Sequence, residues 1–311
     1  MVKVRVPATS ANIGPGFDSM GIALGLYNYV TAEENNSGRL QINILDDSKK
    51  FLPENENNLI YKSMKRVFEM VGHKCPGLKL TLENNIMITR GLGSSSAGIV
   101  GGIVAANKLS GDRLSMNELL KLAADIEGHP DNVTPALLGG FTVNVRTKYA
   151  IRYVKTELNP KDLCFAALVP DFYLQTKKSR GVLPKSVSHD DAVYNAGHSA
   201  LLTASLMSGK YENIRTAVGD KLHQNYRKRL IPNMDSLFRL CYDNGALGVY
   251  LSGAGPTIIA IIKADNQAFN CNISKVLISK MKDWKLHLLK PDNLGACIIC
   301  LLYTSDAADE L

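Results

Sequence analysis

The stretch GLGSSSAG, Gly91 to Gly98, places two glycines and three hydroxyls just ahead of a small-residue run from Ile99 to Ala106. Glycine can take a positive φ and lets another group approach the backbone, while serines add donors and acceptors beside amides that a helix start leaves unpaired. The chemistry this combination suits is anion capture, with phosphate the first candidate. It is not a Walker A loop, since no G-x-x-x-x-G-K-[ST] occurs in the chain, and only Gly91 and Gly93 have the spacing of G-x-G-x-x-G. Without a loop lysine, phosphate would be held by backbone amides, hydroxyls, the helix dipole and a metal ion. A glycine turn packing small residues against a sheet has the same composition.

Three further stretches carry polar groups at spacings that could form a site. VPATSANIGPGFDSMG sets Asn12 and Asp18 on either side of a Gly14-Pro15-Gly16 turn, which suits a binding loop or an Asx-rich turn. ADIEGHPDNVTPALLGG gathers Asp125, Glu127, His129, Asp131 and Asn132 at a helix-to-helix junction. A carboxylate at the C-terminal end of a helix is electrostatically disfavoured, which points to a compensating cation. LSGAGPT, Leu251 to Thr257, is a second glycine turn, between two apolar strands.

The elements that must position these groups follow from periodicity. VKVRVPA alternates until Pro7 and opens the chain as a strand; LQINIL and LKLTLE alternate likewise. Between them, Leu59, Met64, Val67, Phe68 and Val71 share a helical face that stops at Gly72. The glycine loop leads into a helix to about Leu109, SMNE at Ser115 has capping-box spacing for the next, and GGFTVNV returns to a strand. The polar KTELNPKD, Lys155 to Asp162, marks a domain boundary, giving domains 1–158 and 159–299. Beyond it come the strand LCFAALVP, the helices DDAVYNAGHSALLTASLMS and PNMDSLFRLCYDNG, the strands ALGVYLSG and PTIIAIIK, a helix from about Asn266, and the closing strand WKLHLLK. Strands and helices alternate in both halves, so the fold class is α+β with two layers.

Composition limits the function. The 311 residues, 45% hydrophobic and 21% charged, are enough for two cores, and a net charge of +7 suits anionic ligands such as nucleotides. No Lys/Arg block suggests nucleic acid as a partner, and the longest apolar candidate, Ala246 to Ile262, is broken by Ser252, Gly253, Gly255 and Pro256, which excludes a membrane span there. The opening MVKVRVPATSANIG lacks the apolar region of a secretory signal, and Cys75, Cys164, Cys241, Cys271, Cys297 and Cys300 are scattered like reduced thiols, so a cytoplasmic location is expected. From Cys300 on, CLLYTSDAADE abandons the style of the strand-like LGACII before it and reads as a translated sequencing adapter; residues 300–311 are therefore set aside as a non-native tail.

In order, PATSANIGPGFD, GLGSSSA, EGHPDNVTPALLGG and SGAGPT resemble the motifs of the GHMP kinase superfamily, most closely its homoserine kinase branch, over Val4 to about Ile299. Two departures are Met87, where the family usually has proline, and Ser96, where it often has alanine. The resemblance implies an N-terminal domain with a left-handed βαβ crossover, exceptional against the right-handed rule, and a ferredoxin-like C-terminal domain. It further implies transfer of the γ-phosphoryl group of ATP to the hydroxyl of L-homoserine, with Mg²⁺, in threonine biosynthesis; it allows a homodimer.

The family pattern assigns roles residue by residue. Asp18, helped by Asn12, would receive the substrate ammonium; Arg180 and Arg227 would clamp its carboxylate, with Lys178, Lys228 and Arg229 as nearby substitutes. Arg90, Gly91, Leu92, Gly93, Ser94, Ser95, Ser96 and Ala97 would hold the triphosphate, and Ser252, Gly253 and Gly255 would line the far side. Glu127 and Ser95 would hold the metal, with Asp125 as rival ligand. Many relatives have aspartate where Asn132 stands, and asparagine cannot take a proton. Asn132 and His129 are therefore expected to orient the substrate, completing a catalytic set with Glu127, and the hydroxyl proton would leave late, to the phosphoryl oxygens. Asp131 is the alternative base. Mevalonate or shikimate as acceptor would leave Asp18 without a cation to meet. A catalytically inert regulator could keep these motifs, but intact Glu127, Ser94 and Ser95 argue against one.

Overall fold

A computed structural model describes residues 1–299. The adapter-like tail, and with it Cys300, lies outside the described residues.

The N-terminal layer is a mixed sheet covered by helices. β1 (Val2–Asn12) pairs antiparallel with β2 (Gly16–Glu34), with register shifts at Pro7/Ala8 and Ala11/Asn12 that bend the pair at the first motif. β2 has no single period. Met20 to Leu24 are buried without a break, as between two covering layers, and only the later residues alternate, so pattern alone does not reveal this strand. β3 (Leu40–Ile44) runs parallel to β4 (Leu78–Asn84), and α1 (Leu59–Val71) makes the crossover between them. Asn58 caps α1 by accepting from the Ile60 N–H, and Ile60, Met64, Val67 and Phe68 fill the groove below it.

α2 (Ser94–Leu109) lies against β1 and β2, and nearly all of its small residues are buried. α3 (Met116–Glu127) starts in a complete capping box, Ser115 with Glu118, and ends one turn before α4 (Pro130–Leu138), which has Pro130 in its first turn. β5 (Phe141–Arg146) pairs with β2 and with β6 (Ile151–Thr156).

The second layer is an antiparallel sheet of β7 (Leu163–Pro170), β8 (Gly248–Leu251), β9 (Ile258–Lys263) and β10 (Trp284–Leu289), in spatial order β10-β7-β9-β8. Counted within the domain this is 4-1-3-2, the ferredoxin-like arrangement. α5 (Thr176–Arg180), α6 (His189–Ser208), α7 (Ile214–Ala217), α8 (Gln224–Arg227) and α9 (Met234–Asp243) fill the first crossover, and α10 (Gln267–Lys280) the second. Inside the range expected for the second domain, β11 (Cys297–Ile299) returns to the first sheet and pairs with β1. Both faces of β7 are buried. Phe165, Ala167 and Val169 join the same core as Val4, Leu80 and Ile103, while Ala166 and Leu168 face a second core with Phe269 and Leu277. One continuous core therefore welds the two domains behind the cleft.

Candidate active site

The cleft, of about 380 Å³, opens between the domains and brings together all four motif stretches and the arginines of α5 and α8. Its phosphate wall is the start of α2. The first helical amides, of Ser94, Ser95 and Ser96, are the ones an α-helix leaves unpaired, and Gly93 caps them in a left-handed conformation (φ 69°) without a side chain that could use them. A side chain at Gly93 would collide with the Thr9 hydroxyl, and a Cβ at Gly91 (φ 80°) would lie 2.6 Å from the Ser252 carbonyl. Both glycines are dictated by close packing beneath the loop, which answers the composition question that sequence leaves open.

Glu127 ends α3 across from this loop, where its Oε1 accepts from Ser95 Oγ at 2.7 Å and from Ser96 Oγ at 3.0 Å. Asp125, the rival metal ligand, is turned away: it pairs with Lys121 Nζ at 2.6 Å and Arg146 Nη2 at 2.8 Å, and does not line the cleft.

The opposite wall carries charges of both signs. Arg180 grips Asp18 with both guanidinium nitrogens, Nη2 to Oδ1 at 2.6 Å and Nη1 to Oδ2 at 3.0 Å, which holds its own pKa above the ordinary arginine value. Asn12, Ile13 and Asp18 all have positive φ, a strained backbone for such residues that the surroundings must impose. Asn12 is the staple: its Oδ1 accepts from the Asp18 N–H at 3.0 Å and its Nδ2 donates to the Gly253 carbonyl at 2.9 Å. Thus the side chain expected to help an ammonium has both ends engaged in shaping the turn.

His129 pairs with buried Asp131, Nδ1 to Oδ1 at 2.6 Å. Burial works against its charge, but the hydrogen bond and charge of Asp131, with Glu127 beyond, outweigh it and the imidazole pKa is raised. Asn132 Oδ1 accepts from Thr9 Oγ1 at 2.8 Å, which leaves its amide NH₂ as the free end. Among the described residues, Asp18, His129 and Asp131 have ligand atoms within 4.8 Å of one another. Arg180 already satisfies Asp18 and His129 already pairs with Asp131, so this cluster needs no metal.

Arg227 is buried beside the cleft; burial first, then the Arg180 charge, pushes its pKa down to about 10, which keeps it cationic at neutral pH. Its substitutes fall away: Lys228 pairs with Asp235, and Lys178 and Arg229 do not line the cleft.

Asn12, Asp18, Glu127, His129, Asn132, Arg180, Arg227, Arg90, Gly91, Gly93, Ser94, Ser95, Gly253 and Gly255 all line the cleft. Four residues expected on the phosphate side do not. Leu92 and Ala97 are core side chains, and the Ala97 N–H is spent on the Gly93 carbonyl; Ser96 points at Glu127; Ser252 sits behind the loop, bonded to Ser10 and the Gly91 carbonyl. Arg90 borders the cleft, but its guanidinium is tied to the carbonyls of Pro170 and Asp171 as a strap between the domains. Sequence reasoning missed Thr9, which lies within the first motif and acts through Asn132, and missed the part of the cleft lined by Leu52, Asn58, Ile88 and Leu174, which has no motif of its own.

Comparison with known proteins identifies the family. Residues 58–140 match the profile described as the GHMP kinases N terminal domain, and residues 201–272 that of the GHMP kinases C terminal. A homoserine kinase from Clostridium botulinum (strain Eklund 17B / Type B) is 49% identical over 300 residues, covering 96% of this chain and 99% of the relative. The chain belongs to the homoserine kinase family of GHMP kinases. It is thus an ATP-dependent kinase. The crystal structure of homoserine kinase from Cytophaga hutchinsonii superposes with a TM-score of 0.84 at 29% identity, over 96% of this chain and 97% of that one. Mevalonate kinase from Methanococcus jannaschii, at 14% identity, shares the fold with a TM-score of 0.69 over 93% of this chain and 98% of that one.

Proposed function

We propose that this kinase transfers the γ-phosphoryl group of ATP to the hydroxyl of L-homoserine, giving O-phospho-L-homoserine. The observation that carries the proposal is one cleft with a lysine-free helix start, its first amides uncapped by any side chain, on one wall and the Asp18–Arg180 pair with Arg227 on the other. Homoserine is a zwitterion with a primary alcohol. Inserted at that pair, its ammonium replaces Arg180 on Asp18 and its carboxylate takes the freed Arg180 together with Arg227. A substrate with only one of the two charges leaves a half-buried partner unpaired, which is costly.

On the other wall, the amides of Ser94 to Ser96 and the hydroxyls of Ser94 and Ser95 suit the terminal phosphates, and the helix dipole adds to the attraction. Glu127 and Ser95 form an all-oxygen donor set that fits Mg²⁺, a hard cation which, when bound, neutralises phosphate charge. Asn132, its Oδ1 held by Thr9, offers N–H donors and no base, so it orients the hydroxyl or a phosphoryl oxygen. The transfer passes through a loose transition state that needs little early deprotonation, and the hydroxyl proton then leaves to the phosphoryl oxygens. The product would serve threonine biosynthesis in the cytoplasm.

Steady-state kinetics with homoserine, mevalonate and shikimate at saturating ATP and Mg²⁺ test this. Homoserine should lead in kcat/KM by at least about a hundredfold, because a site built around specific polar partners rejects substrates lacking them. A preference for mevalonate or shikimate would refute the assignment.

A further inference from the structure

Arg227 is the largest fully buried side chain among the described residues, yet it is charged and it borders the cleft. Its guanidinium is held by neutral acceptors: Nη1 donates to the Gly253 carbonyl at 2.8 Å and to His223 Nδ1 at 3.1 Å, and Nε donates to the Ser179 carbonyl at 3.4 Å. His223 is itself fully buried, and its Nε2 donates to the Gly14 carbonyl at 2.8 Å. A carbonyl only accepts and a guanidinium only donates. These two partners therefore fix the imidazole as the neutral tautomer with its proton on Nε2.

The surroundings reinforce this state. Asp220, 3.6 Å from Nε2, spends both oxygens on the N–H groups of Leu222, His223 and Gln224 and on Asn195 Nδ2. Burial pushes the imidazole pKa down to about 4; Asp220 opposes the fall and the Arg227 charge adds to it. The Phe17 ring sits 5.4 Å from the imidazole and 5.4 Å from the Arg227 guanidinium carbon, centroid distances that close the other side. Gly14, at the far end of the bridge, lies in the tight turn that leads into the start of β2, where Asp18 stands.

We propose that His223 is a positioning residue for the amino-acid substrate: its neutral imidazole bridges the Gly14 turn and the Arg227 guanidinium, and so fixes the spacing between the groups that take the ammonium and the carboxylate. The inference rests on the assignment of Arg227 to the substrate carboxylate. His223 does not touch the substrate.

Two substitutions separate the halves of the bridge. His223→Gln puts an N–H donor near the Nε2 position and removes the acceptor for Arg227; His223→Asn keeps an acceptor near Nδ1 and removes the donor to Gly14. His223→Gln should raise the homoserine KM about tenfold, the worth of one lost hydrogen bond to a charged group, with kcat and the ATP KM within about twofold. His223→Asn should restore most of the homoserine KM. Equal KM increases in the two variants, or a parallel fall in kcat and rise in the ATP KM, would overturn the proposal, since a merely structural histidine behaves that way. Arg227→Gln is the companion measurement. If it leaves the homoserine KM unchanged, the substrate assignment fails; if it raises that KM while His223→Gln does not, the bridge alone fails. Should the variants not fold, the ¹⁵N chemical shifts of the His223 ring in the full-length protein still decide. A bare Nδ1 at neutral pH is expected, and a protonated Nδ1 would contradict the bridge.

Discussion

Glu127 is joined to two serine hydroxyls, and one of them faces the cleft. Glu127→Ala should cut turnover by roughly a hundredfold with the fold intact, because the oxygen set suited to the metal loses its carboxylate. Asp125→Ala, which touches only the surface pair of Lys121 and Arg146, should leave turnover unchanged; the reverse result would move the metal to Asp125. His129 gives a different signature. Its pKa is raised in the folded protein, so its stabilising contribution is complete below the ordinary histidine value of about 6.5 and is lost as pH rises through the higher folded value. The difference in unfolding free energy between wild type and His129→Asn, measured in urea across this range, should shrink as pH rises. A difference that grows with pH would show that the neutral imidazole is the form the fold prefers.

The start of α2 shows at the level of elements why the glycine loop has its composition. Gly93→Ala should abolish nucleotide binding and strongly destabilise the protein, because the new methyl meets Thr9 in a left-handed backbone. Gly72→Ala, at a helix end with the same backbone sign and open space around it, should cost only about 1 kcal/mol in chemical denaturation. Equal losses would show that the Thr9 contact does not matter. The elements that carry strong local signals were legible in the sequence: α1 by its periodicity and Gly72, α3 by its capping box, α4 by the proline after a polar junction. β2 was not, since its first half has no alternation; β11 is strand-like in LGACII, but its return to β1 at the other end of the chain leaves no local mark. The site was legible to the same depth. Motif stretches identify the residues that face the cleft, but not that Arg90 and Asn12 are engaged as strap and staple, because carbonyl partners leave no mark in a side-chain pattern. The i, i+4 spacing of His223 and Arg227 in HQNYR was the one available hint of the bridge.

At the scale of the whole molecule, a shared core behind the cleft holds the two walls in fixed relation, and polar straps hold the rim. The Pro15 carbonyl accepts from Asn195 Nδ2 and Ser199 Oγ of α6, so the first motif is docked onto the second domain before any ligand arrives. The central claim is that this preformed cleft seats a phosphate at one end and a zwitterion at the other. A crystal structure with a non-hydrolysable ATP analogue and L-homoserine tests it most directly. The terminal phosphates should rest on the amides of Ser94 to Ser96, with the ammonium on Asp18, the carboxylate between Arg180 and Arg227, and the Asp18–Arg180 pair opened. Homoserine bound elsewhere, or seated in the cleft with that ion pair still closed, would contradict the account.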